Sequence, residues 1–369
     1  MSVRVAIDVA PLLGQPTGVG TFVAGALDGL ARTQGHEVGL LAYGLTWSGR
    51  RQLAAAVPPG VLTAKVGMPA AALLRAWERA DWPAAEWWTG PVDVVHGTNF
   101  VVPPARRAAM VVTVHDLTAV RYPELCDATS RRYPELVRRA VRRGAHVHTP
   151  SEFVAGEVRD WLGSGVDPDR IHPVAHGVNR PCRGAEPTEP RTIVALATSE
   201  PRKDLPLLVR AFDAVAAARP DVRLVMAGPA GWADAEVAAA VAAAQHRDRI
   251  SRLGWIDNDR RAELLDRATV FAYPSRYEGF GLPPLEAMAA GVPVVASAAG
   301  AVPEAVGDAA LLSPVGDTDA FAAVLAEVLD DEIVRKELVG RGLARAAQFT
   351  WEQCAAGLAG VYRQAAADR

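Results

Sequence analysis

Twice along this chain, short β-branched runs alternate with longer stretches of helical period, and the two series are parted by a segment with no period. Strand–helix alternation of this kind demands a doubly wound parallel sheet. The first series predicts strands at Val3–Val9, Val38–Tyr43, Val61–Val66, Val92–His96, Met110–His115, His146–Thr149 and Arg170–Val174. Between them, Gly20–Arg32, Ala70–Trp88, Ala128–Arg143 and Glu152–Leu162 read as helices. Residues 181–190 are rich in Pro and polar side chains and read as a linker. Beyond it, strands are expected at Thr192–Ala197, Arg223–Ala227, Ile250–Leu253, Val270–Tyr273, Val292–Ser297 and Ala309–Leu312, with helices near Leu205–Ala218, Ala233–Gln245, Asp259–Arg267 and Thr318–Leu329. Phe349-Thr350-Trp351-Glu352 resembles a capping box opening a last helix. The expected architecture is α/β, with two Rossmann-like domains at 1–180 and 191–348 and a separate C-terminal helix in 349–369.

A length of 369 residues suits two domains, and a composition half hydrophobic and 22% charged is that of an ordinary globular protein. The net charge of −3, with no long basic tract, speaks against a nucleic-acid partner. Cys126, Cys182 and Cys354 are far apart and lack C-x-x-C spacing, which fits a reducing cytoplasm better than a zinc site or a disulfide framework. No apolar run reaches the roughly 18 residues of a membrane span. Trp77, Trp82, Trp87 and Trp88 fall in one helical stretch with Arg75 and Arg79. Such a stretch can rest on a membrane interface, although aromatics at helical spacing more often belong to a core.

The segment from Arg276 to Gly291 carries the chemistry. Glu278 and Glu286 flank Gly279-Phe280-Gly281-Leu282-Pro283-Pro284, a glycine-rich turn that opens into a helix. Gly279 and Gly281 let the backbone approach a ligand, and the prolines suit a first helical turn. A helix N-terminus binds anions such as a diphosphate. If every intervening residue were helical, the two carboxylates would lie about 12 Å apart, at roughly 1.5 Å per residue. A retaining glycosidase needs about 5–5.5 Å. One acid at each end of a phosphate-binding turn instead matches sugar, diphosphate and ribose in a row.

Other groups stand where such a ligand needs them. Gly18 and Gly20 begin a helix after the first strand, where amides can approach a phosphate or a sugar, although the loop lacks G-x-G-x-x-G. His115-Asp116 and His96 each end a buried strand. Arg202-Lys203 precede a helix expected to be capped by Asp204; cations there oppose the helix dipole and make sense when an anion fills the site. Trp255 follows a strand and fits a base-stacking or a core role equally. Asp257-Asn258-Asp259 reads as a helix cap, so no metal site is expected.

Together these segments resemble the E-x7-E signature and flanking motifs of the family-4 retaining glycosyltransferases, over most of the chain. The resemblance implies the GT-B fold, two domains facing a cleft, with the closing helix crossing back onto the first domain. It implies that Glu278 holds sugar hydroxyls, that the Gly279-Phe280-Gly281 amides hold the diphosphate with Arg202 and Lys203, and that Glu286 binds the ribose. His115 would contact the donor sugar, Asp116 would orient it or touch the acceptor, and His96 would line the cleft on the acceptor side. Arg252–Ile256, with Trp255, would read the base, while Gly18 and Gly20 would cover the donor. Relatives often carry Gly-Arg upstream of the basic pair, where this chain has Leu196-Ala197-Thr198.

What is expected is a metal-independent, cofactor-free retaining transferase whose co-substrate is a nucleoside-diphosphate sugar. GDP-mannose comes first, UDP-glucose or UDP-N-acetylglucosamine next, and a glycan, lipid-linked or small-molecule acceptor completes the pair. A cytoplasmic location, at the inner membrane face if the tryptophans touch lipid, follows. Two rival classes share these features: a sugar-nucleotide epimerase, and a non-catalytic module that binds nucleotide sugars.

Overall fold

The computed structural model describes residues 2–14, 17–46, 51–64, 69–179 and 191–369; the expected linker 181–190, Cys182 and the end of the Val61–Val66 strand lie outside them. The chain divides into two compact units, Met1–Gly177 with Phe349–Arg369, and Val178–Gln348.

The first unit is built on β1 (Val3–Asp8), α1 (Gly18–Thr33), β2 (Val38–Tyr43), β3 (Leu62–Thr63), α2 (Ala70–Trp77), α3 (Glu86–Thr89), β4 (Val94–Gly97), β5 (Ala109–Thr113), α4 (Thr118–Arg121), α5 (Tyr133–Arg142), β6 (His146–Thr149), α6 (Glu152–Leu162) and β7 (Ile171–Pro173). Its strands form a parallel sheet in the order β3-β2-β1-β4-β5-β6-β7. The period of two along β1 divides its side chains: Val5 and Ile7 enter one core with Phe22 and Leu27 of α1, while Ala6 faces the other with Trp77, Trp88 and Val137.

The second unit runs β8 (Thr192–Leu196), α7 (Leu205–Ala216), β9 (Arg223–Ala227), α8 (Asp234–Ala243), β10 (Ile250–Arg252), α9 (Asn258–Asp266), β11 (Val270–Tyr273), α10 (Leu282–Ala289), β12 (Val294–Ser297), α11 (Val302–Val306), β13 (Ala310–Ser313), α12 (Thr318–Asp330) and α13 (Glu332–Ala346). The sheet order is β10-β9-β8-β11-β12-β13, again parallel. In each sheet the chain reverses its direction of travel once, at β1/β4 and at β8/β11. Ligands of open α/β sheets bind beyond the strands' carboxyl ends at such a reversal.

The last helix, α14 (Trp351–Ala367), belongs to the first unit and lies along α1. Thr350 caps it, accepting from the Gln353 amide at 3.2 Å. Trp351 fits a slot that only glycine leaves open: a Cβ on Gly25 would come within 2.2 Å of its ring, and one on Gly177 within 2.5 Å. The α1 face then closes over Cys354, Leu358 and Tyr362.

Two expectations for helices are corrected. Ala70–Trp88 is not one helix: it stops at Trp77 and resumes for one turn at Glu86. Pro83 supplies no amide and disfavours helical geometry at Trp82. Trp77 and Trp88 are core residues, whereas Trp82 and Trp87 are 55% and 62% exposed. α13 was not expected, because its buried stripe is only Leu338, Gly342 and Ala346, while Ile333 and Leu343 face water. Asp331 caps it, and Gly342 seats it against Met288 of α10.

Replacing Trp351 with Ala should empty the glycine-lined slot and cost about 3–5 kcal/mol. Urea unfolding of the Trp351→Ala chain would show it as a lower midpoint with little change in slope.

Candidate active site

In the second unit the loops after β8 and β11 meet at the sheet's reversal point. The first loop turns at Asp204, which adopts a left-handed φ of 44° and makes no capping hydrogen bond to α7. The expected cap is therefore absent. The Asp204 carboxylate instead accepts from Arg276 Nε at 2.8 Å, and the Arg276 amide donates to the Arg202 carbonyl at 2.8 Å. These two ties fasten the loops to each other and set Arg202 and Lys203 beside Glu278.

Glu278 is 6% exposed and binds both cations. Arg202 Nη1 donates to Oε2 at 2.7 Å and Lys203 Nζ to Oε1 at 2.6 Å. Lys203 also donates to the Tyr273 hydroxyl at 3.1 Å, and Arg202 to the Tyr277 carbonyl at 3.1 Å. Burial alone would raise the Glu278 carboxyl, but Arg202 and Lys203 outweigh it and hold the group down at about 2. Burial lowers Lys203, and Glu278 works against that fall. The carboxylate and the basic pair, expected on different parts of a ligand, are in direct contact here. Arg202 also pairs with Glu200 at 3.5 Å, so the two cations are balanced by two carboxylates.

The turn that follows is shaped by backbone. Gly300, at φ 58°, lets its strand-end loop press on Glu278, since a Cβ there would lie 2.3 Å from the Glu278 carbonyl. The Ala301 amide donates to that carbonyl at 2.8 Å. Gly281 enters α10 at φ 121°. Among the described residues the amides of Gly281 and Leu282 have no acceptor, and Pro283 and Pro284 have no amide to offer. Gly279 and Phe280 each make a contact of their own within the chain. Of the amides that the glycine pattern pointed to, that of Gly281 is open to an anion, and that of Leu282 joins it. Eight residues on, Glu286 is 7% exposed and bound by Arg261 of α9, a partner that no sequence motif indicated. Trp255 is 48% exposed in the loop after β10, which removes its core reading.

The first unit gathers three histidines, His115, His148 and His176, around Phe22. His115 lies at the end of β5, and its ring is 5.5 Å from Phe22 and 5.7 Å from Phe100 and from His176. Nε2 lies 2.8 Å from the Thr98 carbonyl, which can only accept, so Nε2 carries the proton. Burial lowers the ring's pKa, leaving Nδ1 as a bare acceptor. Phe100, at φ 60° and stacked 5.0 Å from Tyr133, holds the turn behind it. The Asp116 carboxylate accepts from the Thr118 amide at 2.8 Å and so shapes the start of α4. Thr17 takes the Gly20 amide at 3.1 Å, so Gly20 does not offer it to a ligand, and Gly18 has open space around it.

His96 is not on a surface. It is fully buried, 2.7 Å from the Tyr362 hydroxyl and 2.8 Å from Thr113 Oγ1, which in turn lies 2.9 Å from His148 Nδ1. His148 Nε2 must donate to the Val174 carbonyl at 3.0 Å. The directions follow one after another. Thr113 donates to His148, His96 Nε2 donates to Thr113, and Tyr362 donates to His96 Nδ1. Every proton in this buried chain is placed, and α14 supplies its first donor. Burial drives His96 well down and His148 to about 3.

Known proteins can now be set beside this geometry. Residues 16–180 match the family described as "Glycosyltransferase Family 4", and residues 182–344 match "Glycosyl transferases group 1". O-antigen chain mannosyltransferase B of Escherichia coli is 31% identical over 289 residues, covering 73% of this chain and 74% of that one. The MMP alpha-(1->4)-mannosyltransferase of Mycolicibacterium hassiacum is 32% identical over 307 residues, covering 75% and 72%. A GDP-mannose-dependent monoacylated alpha-(1-6)-phosphatidylinositol monomannoside mannosyltransferase of Corynebacterium glutamicum is 33% identical over 214 residues, 55% of each chain. Among solved structures, sucrose-phosphate synthase from Thermosynechococcus elongatus shares the fold at a TM-score of 0.77 and 20% identity over both whole chains. WaaG, a glycosyltransferase involved in lipopolysaccharide biosynthesis, does so at 0.70 and 16% over 97% of this chain and 99% of that one. Fold and site define a glycosyltransferase of GT-B type. The chain belongs to the family-4 glycosyltransferases.

The buried histidines yield a pH effect of known sign. An imidazole whose folded pKa lies below its unfolded value of 6.5 adds full stability above 6.5, which is lost as pH falls toward the folded value. Urea unfolding midpoints should therefore drop as pH is lowered from about 7 to 5, by about 1.4 kcal/mol per unit for each such ring. Removing His148 (His148→Asn) should flatten part of that slope.

Proposed function

We propose that this glycosyltransferase moves mannose from GDP-mannose to a glycan, glycolipid or small-molecule acceptor, with retention and without a metal ion. The observation that carries the reading is the Arg202–Lys203–Glu278 cluster, with its two cations held at one place, beside the open amides of Gly281 and Leu282. A diphosphate placed there meets two cations and a helix N-terminus. Those groups would stabilise the charge that develops as the diphosphate departs. Glu278, shared between the cations and the donor, would accept sugar hydroxyls, and Glu286 the ribose. His115, presenting Nδ1 as an acceptor, is assigned to a hydroxyl of the same sugar. Front-face attack by the acceptor then needs no protein nucleophile. Mannose is favoured by the activities named for the relatives in Escherichia coli, Mycolicibacterium hassiacum and Corynebacterium glutamicum, and guanine by the last of these alone. The positive charge that offsets the departing diphosphate is assigned to Arg202 and Lys203.

A thermal-shift series with GDP, UDP, dTDP and ADP tests the donor, and GDP should raise the midpoint most. Lys203→Ala should weaken GDP binding while His115→Ala should spare it and depress turnover about 10²–10⁴-fold. Indifference to all four nucleotides would remove the reading. Product analysis with the donor alone separates a transferase from an epimerase, which would convert the sugar with no acceptor present.

The acceptor side is proposed to work at an anionic membrane face. Among the described residues no helix is long and apolar enough to cross a membrane. The exposed indoles of Trp82 and Trp87 sit edge to face at 5.2 Å. The local acids are already taken: Asp81 by Arg139 at 2.8 Å, Glu78 by Arg132 at 2.5 Å, and Glu86 by the amides of Arg106 and Arg107. Arg75, Arg79, Arg106 and Arg107 make no side-chain ion pair among the described residues. Aromatic rings beside uncompensated cations suit an anionic interface. The chain should sediment with phosphatidylglycerol-containing vesicles and not with pure phosphatidylcholine, and the Trp82→Ala, Trp87→Ala double variant should lose about tenfold in binding.

A further inference from the structure

Two arginines follow each other at the start of α9, and they meet different fates. Arg260 pairs on the surface with Glu263 at 2.6 Å. Arg261 reaches inward, and its Nη2 binds Oε2 of Glu286, a side chain only 10% exposed. No other hydrogen bond to the Glu286 carboxylate occurs among the described residues, so Oε1 keeps its accepting capacity. α9 follows the Leu253-Gly254-Trp255 turn, whose Gly254 carbonyl accepts from the Gly228 amide at 2.8 Å. Arg261 thus ties α9, the helix that follows the Trp255 turn in the chain, to the acid of α10.

We propose that Arg261 is a positioning residue for the donor nucleoside: by gripping one oxygen of Glu286 it keeps this buried acid charged and leaves the other oxygen to accept a ribose hydroxyl. The inference rests on the assignment of Glu286 to the ribose made above. A lone carboxylate at this depth would neutralise itself by taking a proton. A protonated acid offers a weaker acceptor and spends one oxygen on its own hydrogen.

The surroundings leave this task to Arg261. Burial pushes the Glu286 carboxyl up, and Arg261 is the charge that opposes it. α13 packs on α10, but its Arg345 donates to the carbonyls of Ala305 and Glu304, and its Arg341 to that of Asp308. On α11, Glu304 is exposed. The hydroxyl of Tyr273 on β11 is bound to Lys203, which with Arg202 is committed to Glu278. On β12, Ser297 is uncharged.

Calorimetric titration of the full chain with GDP and with 2′,3′-dideoxy-GDP reads the proposal directly. The unsubstituted chain should prefer GDP, with little change in that preference between about pH 8 and pH 6. In Arg261→Leu the preference should shrink as pH falls, with GDP affinity weakening toward about tenfold per unit once Glu286 protonates. Arg261→Lys should restore a flatter profile, and dideoxy-GDP should bind all three forms alike. Arg261→Leu showing the profile of the unsubstituted chain, or tighter GDP binding at every pH, would overturn the proposal. If GDP binds no form, the donor reading fails by itself, and a carbon-13 titration of the Glu286 carboxyl in the empty protein decides the pair. Its midpoint must rise in Arg261→Leu and stay near the original in Arg261→Lys, and an unmoved midpoint sinks the inference.

Discussion

A carboxylate shut away from water beside two cations is what the second unit is organised around. Neither partner tolerates this depth without the other. Glu278 alone would be pushed toward its neutral acid, and Lys203 alone toward its neutral amine. Their mutual attraction favours the ionised forms of Glu278 and Lys203 at this depth. The loops that deliver them are then constrained as well: Asp204 must turn left-handed, Arg276 must brace both loops, and Gly300 must let a neighbouring strand end come close. The cluster is therefore a preorganised electrostatic device, with its cost met during folding rather than at the moment of reaction.

The first unit solves a related problem without charge. His96, Thr113 and His148 lie at the heart of its sheet, and their donors and acceptors match in one direction only. A buried polar chain that is fully satisfied rigidifies its surroundings. Here it ties β4, β5 and β6 to the last helix, and it does so directly behind the strand that carries His115 out to its end.

Much of this was legible in the residues alone. The strands at Val38–Tyr43, His146–Thr149, Arg223–Ala227 and Val270–Tyr273 fall where alternation of β-branched runs put them, because burial on both faces writes a strong local pattern. Thr350 was recognisable as a cap, and Glu278, Arg202 and Lys203 as members of one site. What escaped depends on partners distant along the chain. Arg261 looks like any surface arginine until Glu286 is found opposite it. Asp204 resembles a helix cap until Arg276 claims it. His96 resembles a cleft residue until Tyr362, from the far end of the sequence, covers it. α13 escaped for a different reason: its contact surface is a stripe of small residues with exposed apolar neighbours, so periodicity misleads there.

The slot for Trp351 has a consequence for how this protein is made. The first unit consists of two chain segments, and everything in the second unit is translated between them. At about 5–20 residues per second, roughly fifteen to sixty-five seconds separate the emergence of α1 from that of the helix that covers it. During that interval the glycine-lined face of α1 has no lid, and the ring of His96 lacks its donor. A nascent chain in this state displays the surface that chaperones hold. A stop codon just after Gln348 would therefore harm the portion of the molecule that was synthesised first and leave the later-made sheet whole.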